Sequence, residues 1–173
     1  MGASTMYFHS VYVQKRQAGV SPAQFQRLWR SHGDFAATVP AFWDQVARYV
    51  HNDPVEPIAG VPADTARFDG IGELYYTSYE DWLAMRDVMW NVVAPDEKRV
   101  FAGPPEVSVR GARKTYQTPE GACKLFIFAR FGARFGGDHD PDAKARALDT
   151  LATTTLASPG FGGALQGLTI TTA

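Results

Sequence analysis

The run from Met6 to Lys15 is rich in β-branched and aromatic residues (Tyr7, Phe8, Val11, Tyr12, Val13) and breaks at Ala18-Gly19, which predicts a first strand. The pattern then changes period. Ser21-Pro22-Ala23-Gln24 supplies an N-cap serine, a proline at the first helical position and a glutamine three residues after the cap. Phe25, Leu28, Trp29 and His32 follow at i, i+3, i+4 and i+7, one inward stripe of a helix that Gly33 loosens and Pro40 ends. Val46 to His51 reads as a second strand, broken by Asp53-Pro54 and a proline-rich loop through Pro62. Asp69-Gly70 turns into a third strand, Ile71 to Tyr76. Ser78 with Asp81 caps a second helix, whose Tyr79, Trp82, Met85, Met89 and Val93 recur at helical spacing. Pro95-Asp96-Glu97 opens a helical turn, Gly103-Pro104-Pro105 stops it, and Glu106 to Tyr116 gives a fourth strand. A βαββαβ order of this kind folds most simply as an α+β unit, an antiparallel sheet with both helices on one face.

From about Thr118 the theme restarts. Cys123 to Phe131 reads as a strand, and Asp140-Pro141-Asp142 opens a helix with Ala143, Ala147, Leu148 and Leu151 inward. Leu165 to Thr171 reads as a last strand. We therefore expect a ferredoxin-like unit over 5–116 and a partial β-α-β repeat over 118–173, packed on the same domain.

Composition narrows the classes. With 17 Lys plus Arg against 18 Asp plus Glu the net charge is −1, without the basic excess that displaces counterions from nucleic acid. Cys123 is the single cysteine, so neither an internal disulfide nor a thiolate zinc site is expected. The longest apolar run, Leu125 to Ala129, is far too short to cross a bilayer, and Met1 to Met6 carries no secretory pattern. The expectation is a soluble, cytoplasmic protein with no membrane and no nucleic-acid partner.

His32 is the first candidate for chemistry. On an apolar helix stripe its imidazole must find a partner or a cavity, and an ordinary imidazole exchanges protons near pH ~6.5. The alternative is a histidine suited to the negative end of a helix dipole. Tyr49 and His51 share one face of their strand and could offer a hydroxyl donor with a second titrating group; a surface histidine beside a turn is the alternative. Glu73 and Tyr75 share a face of the third strand, where Glu73 is either a buried acid or base or an edge residue in water. All four tryptophans fall in the first 90 residues. Trp29, Trp43 and Trp82 are candidate walls for a flat apolar substrate, against the alternative of plain core filling. No metal site is expected: Asp138-His139-Asp140-Pro141-Asp142 lacks the glycine and terminal glutamate of a calcium loop. Gly160-Phe161-Gly162-Gly163 fails as a dinucleotide fingerprint, and no phosphate loop or nucleophile elbow occurs. No cofactor is therefore expected.

Lys15-Arg16, Ser21 to Phe25, Trp29 with His32, Tyr49 to Asn52, Phe68 to Tyr76 and Ser78 to Trp82, in this order and spacing, resemble an EthD domain over about residues 5 to 116. The resemblance implies the dimeric α+β barrel group, in which two ferredoxin-like units pair their sheets, and hence a homodimer. It also implies cofactor-independent relatives that cyclise, dehydrate or decarboxylate aromatic polyketides, alongside accessory members without clear activity and metal-free oxygenases. His51 stands where Asn or Gln is commoner, and the tail is shorter than a full second domain. On that basis the expected function is acid/base catalysis on a poly-carbonyl substrate, with His32 as general base or acid. Tyr49 or Tyr75 would be the oxyanion donor, and His51 or Glu73 the proton partner. A ligand-binding accessory protein and a cofactor-free monooxygenase are the alternatives. The sheet face opposite the helices, with Val107 and Val109 on one side and Ser108 and Arg110 on the other, should be covered by a second subunit or by the tail.

Overall fold

The computed structural model describes residues 8–54, 68–117, 126, 141–157 and 168–172. The predicted strand over Cys123–Phe131 and the Asp138–Asp142 and Gly160–Gly163 segments lie largely outside them. The element order is β1 (Phe8–Gln14), α1 (Pro22–Ala37), α2 (Pro40–Trp43), β2 (Val46–Asn52), β3 (Gly70–Tyr76) and α3 (Tyr79–Val88). A π-helical turn (Met89–Val93) then leads into α4 (Ala94–Glu97), β4 (Val107–Gln117), α5 (Pro141–Ala157) and β5 (Leu168–Thr172). The strands lie in the order β2-β3-β1-β4-β5, with β1 antiparallel to both β3 and β4, and β2 antiparallel to β3. The first four make the ferredoxin-like α+β arrangement that the pattern predicts. The chain divides into two compact units, Met1–Arg113 with Thr171–Ala173, and Lys114–Ile170. No helix among the described residues is long and apolar enough to cross a membrane.

Local signals account for α1. Ser21 Oγ accepts from Gln24 N–H while the Gln24 side chain accepts from Ser21 N–H, a complete capping box, and Pro22 costs nothing at a position whose N–H has no helical partner. Gly33 does not end the helix, which runs to Ala37 just before Val39-Pro40. His32 therefore sits within the helix rather than at its C-terminus, and the dipole explanation fails. The buried stripe is Phe25, Trp29, His32 and Ala36.

The second helix departs further from expectation. Ser78 and Asp81 form the predicted capping box, but only Met85 and Val93 of the expected stripe are buried, and Tyr79 is 49% exposed. Trp82 and Met89 are partly buried against the same core, and the π-helical turn at Met89–Val93 changes the period only at the C-terminal end of the stripe. In α5, Leu148 and Ala152 are buried whereas Leu151 points to solvent.

Register decides what each sheet face carries. Tyr76 pairs with Phe8 on one side and Val46 on the other, Leu74 with Ser10 and Tyr49, and Gly72 with Tyr12 and His51, so these rows share one face. An irregularity between Val46 and Arg48 resets the alternation of β2. Phe8, Tyr12, Val46, Tyr49, Leu74 and Tyr76 pack here with Ala36, Phe42, Met85 and Val93 from the helices. The opposite face carries His9, Val11 and Val13 with Tyr75, Glu73 and Ile71. Val11 and Val13 are already buried within one chain, while Val50, Val107 and Val109 are only half-buried.

Candidate functional site

On the helix-facing side, a nest of rings gathers around Trp29. Its indole stacks on His51 at 4.4 Å between ring centroids and 19° between planes, and meets Phe25 and Phe101 on other sides. His51 in turn stands edge-on to Tyr49 at 4.3 Å. Two glycines make this closeness possible. A Cβ on Gly70 would come 2.1 Å from the Trp29 ring, and one on Gly33 would come 2.9 Å from His51 Cε1. Gly33 thus belongs in the middle of α1 for a packing reason, despite its helix-weakening propensity.

A hydrogen-bonded chain runs through the nest. Trp29 Nε1 donates to Tyr49 Oη at 3.2 Å, and Tyr49 Oη lies 2.9 Å from Tyr12 Oη, where either phenol can donate. Tyr12 reaches Tyr49 from two strands away because Gly72, between them, has no side chain: a Cβ there would lie 2.2 Å from the Tyr12 ring. Burial pushes the Tyr49 phenol up to about 12 and raises Tyr12 well above its usual value, so both stay protonated at neutral pH. Burial also lowers the His51 imidazole to about 4, with Arg30 adding to the effect. His51 is therefore neutral, and its buried Nε2 has no hydrogen-bond partner among the described residues.

His32, 2% exposed, lies one helix position from Gly33 and presents Nδ1 to Asp96 Oδ2 at 2.8 Å. Burial lowers its pKa against the opposing pull of Asp96. Because a carboxylate only accepts, the facing nitrogen carries the proton and the lone pair is left on Nε2. Arg99 holds Asp96 from the outside, through Nε at 2.5 Å and Nη2 at 3.0 Å, and keeps its carboxyl below the usual range. The next residue, Glu97, is half-buried, and burial with the neighbouring Asp96 charge lifts it to about 7.

Glu73 and Tyr75 lie together as expected, but on the other face of the sheet. Tyr75 Oη donates to Glu73 Oε2 at 2.8 Å, Asn52 Nδ2 donates to Glu73 Oε1 at 2.9 Å, and His9 Nε2 is 3.2 Å from Oε2. His9 stacks on Tyr75 at 4.3 Å. The register separates this second polar cluster from His32, Tyr49 and His51, so the five candidate catalytic residues do not form one site. Of the proposed walls, Trp29 is fully buried in the nest. Trp82 packs on Phe8 and Tyr79, with Arg110 over its ring, and Trp43 is 41% exposed against Phe42, so among the described residues neither ring lies against His32 or His51. No group of three metal-ligating side chains gathers among the described residues.

Sequence reasoning missed Tyr12, Asp96, Glu97 and His9. Tyr12 was visible only as a strand aromatic, and nothing local shows that Gly72 opens its path. Consecutive carboxylates after Pro95 were a usable signal, but their meeting with His32, 64 residues away in sequence, is tertiary.

An EthD domain model matches residues 17–105, just over half the chain. No curated protein matches the chain. Among solved structures, a dimeric ferredoxin-like protein of unknown function from Thermobifida fusca is 14% identical, covering 65% of this chain and 95% of that one, with a TM-score of 0.44. A dimeric protein of unknown function and ferredoxin-like fold from Bacteroides fragilis is 12% identical, covering 63% and 95%, with a TM-score of 0.40. The hydroxynitrile lyase of Passiflora edulis is 17% identical, covering 62% and 90%, again at 0.40.

Proposed function

The chain belongs to the EthD domain family, and from that membership and the ring-lined nest we propose a cofactor-independent acid/base enzyme acting on an enolisable, poly-carbonyl or aromatic substrate of the polyketide kind. A CH group between two carbonyls is acidic enough for a positioned base to remove its proton, provided that the enolate oxygen meets a donor. His32 is the base: Asp96 fixes the tautomer that leaves Nε2 with the lone pair. The protonated Tyr12–Tyr49 pair is the oxyanion donor, and His51 is the proton partner within the same nest. The observation that carries this reading is the buried His32, paired with the partly exposed Asp96, on the same side of the sheet as two phenols and a neutral imidazole. Cyclisation or dehydration would proceed from such an enolate, and decarboxylation would generate one at the same donors, to be protonated afterwards.

The test is proton exchange at carbon. Purified protein in D₂O with 1-phenyl-1,3-butanedione should speed deuterium uptake at the central CH₂ above buffer, followed by NMR. Binding without acceleration would instead favour an accessory, ligand-holding role. Oxygen consumption during turnover would favour the monooxygenase reading.

We also propose a homodimer, with Val50, Val107 and Val109 as the half-buried residues left for a partner on the opposite face. Sedimentation equilibrium should return twice the chain mass; a single-chain mass at micromolar concentration would remove this assembly.

A further inference from the structure

Hydrogen-bond bookkeeping in the nest leaves a remainder. Trp29 N–H, Tyr49 O–H and Tyr12 O–H bring three hydrogens to a chain with two links, Trp29 to Tyr49 and Tyr49 to Tyr12. If Tyr49 donates to Tyr12, the Tyr12 hydrogen is left over. If Tyr12 donates to Tyr49, the Tyr49 hydrogen is left over. In both arrangements one phenol hydrogen has no acceptor among the described residues. Beside it, edge-on to Tyr49, stands His51, whose buried Nε2 has no partner among the described residues. A buried polar group left unpaired is costly, so two adjacent ones on half-buried side chains form a site for a ligand that supplies both halves.

Resting on the acid/base reading above, we propose that Tyr12, Tyr49 and His51 bind the substrate's enol hydroxyl, the protonated form of the enolate oxygen, for which a phenol is the stable analogue. A hydroxyl is the function that fits: its oxygen accepts the surplus phenol hydrogen, and it pairs with either tautomer of the imidazole, donating to bare nitrogen or accepting from N–H. A ketone oxygen would serve the phenol but leave a bare Nε2 unpaired. Because the surplus hydrogen can sit on either phenol, both tyrosines belong to the site.

The probe pair is p-cresol and its methyl ether, 4-methylanisole, titrated into the full chain while the Trp29 indole N–H signal is followed by NMR. p-Cresol should shift that signal saturably, and the ether should bind about tenfold more weakly, the scale of one or two hydrogen bonds. The Tyr12→Phe/Tyr49→Phe double variant and His51→Phe should each lose about tenfold. Equal binding of the two probes, no saturable shift with p-cresol, or a double variant that binds p-cresol as tightly as the parent would overturn the inference. The wild-type probe pair decides even if a variant folds poorly. Hydroxyl-selective binding without deuterium exchange would keep this site and remove the proposed reaction; exchange without hydroxyl selectivity would do the opposite.

Discussion

Replacing His32 with alanine should slow deuterium exchange on 1-phenyl-1,3-butanedione by about 10²- to 10⁴-fold, the usual contribution of a positioned general base. The imidazole is 2% exposed and bonded to Asp96, so its removal should also lower stability by roughly 2–4 kcal/mol through the cavity and the lost bond. Rates must therefore be taken on protein shown folded by urea titration. Asp96→Asn provides a variant that keeps the volume. An amide can donate to Nδ1, which moves the imidazole proton to Nε2 and removes the lone pair from the reacting side. This variant should lose at least about tenfold in exchange with nearly unchanged folding. Full activity in folded His32→Ala would take the base away from this residue.

Glu97→Gln should reshape the dependence of stability on pH. An ordinary glutamate titrates near 4.5, whereas the folded chain holds Glu97 to about 7 by burial and by the charge of Asp96. Between those values the folded form keeps a proton that the unfolded form has released, so stability falls as pH rises through the window. The full effect is about 2–3 kcal/mol after discounting for the half-exposed position. His51 has the opposite sign. Its folded value of about 4 lies below the usual 6.5, so it contributes stability above that pH and loses it on acidification toward 4. The two slopes oppose one another between about 4.5 and 6.5, where the lowered His32 adds to the rising side. Glu97→Gln removes only the falling limb. Its advantage over the parent should be near zero below pH 4.5 and should grow to about 2–3 kcal/mol above pH 7, read from urea midpoints. A difference that does not change with pH would mean that Glu97 ionises normally.

The elements were legible wherever the signal is local. The Ser21 and Ser78 capping boxes need only a serine and an acceptor three residues on, and both form as expected. Alternation along β2 and β3 correctly put Tyr49 with His51 and Glu73 with Tyr75. That alternation says nothing about which pair faces the helices, and an irregularity between Val46 and Arg48 settles it for β2. The helix after Ser78 was less legible: Tyr79, in its first turn, lays its ring on Phe8 and Trp82 and stays half-exposed, a placement that no local periodicity announces.

Sequence by itself determined the strand and helix order of the ferredoxin-like unit, the family resemblance, and the presence of an imidazole on the inner stripe of α1, since each follows from residues within one or two turns of each other. Tertiary structure alone decided that Asp96 pairs with His32, that Tyr12 crosses Gly72 to reach Tyr49, and that Glu73 lies on the far face. Those arrangements depend on strand register and on the space a missing side chain leaves, and both are set by segments distant along the chain.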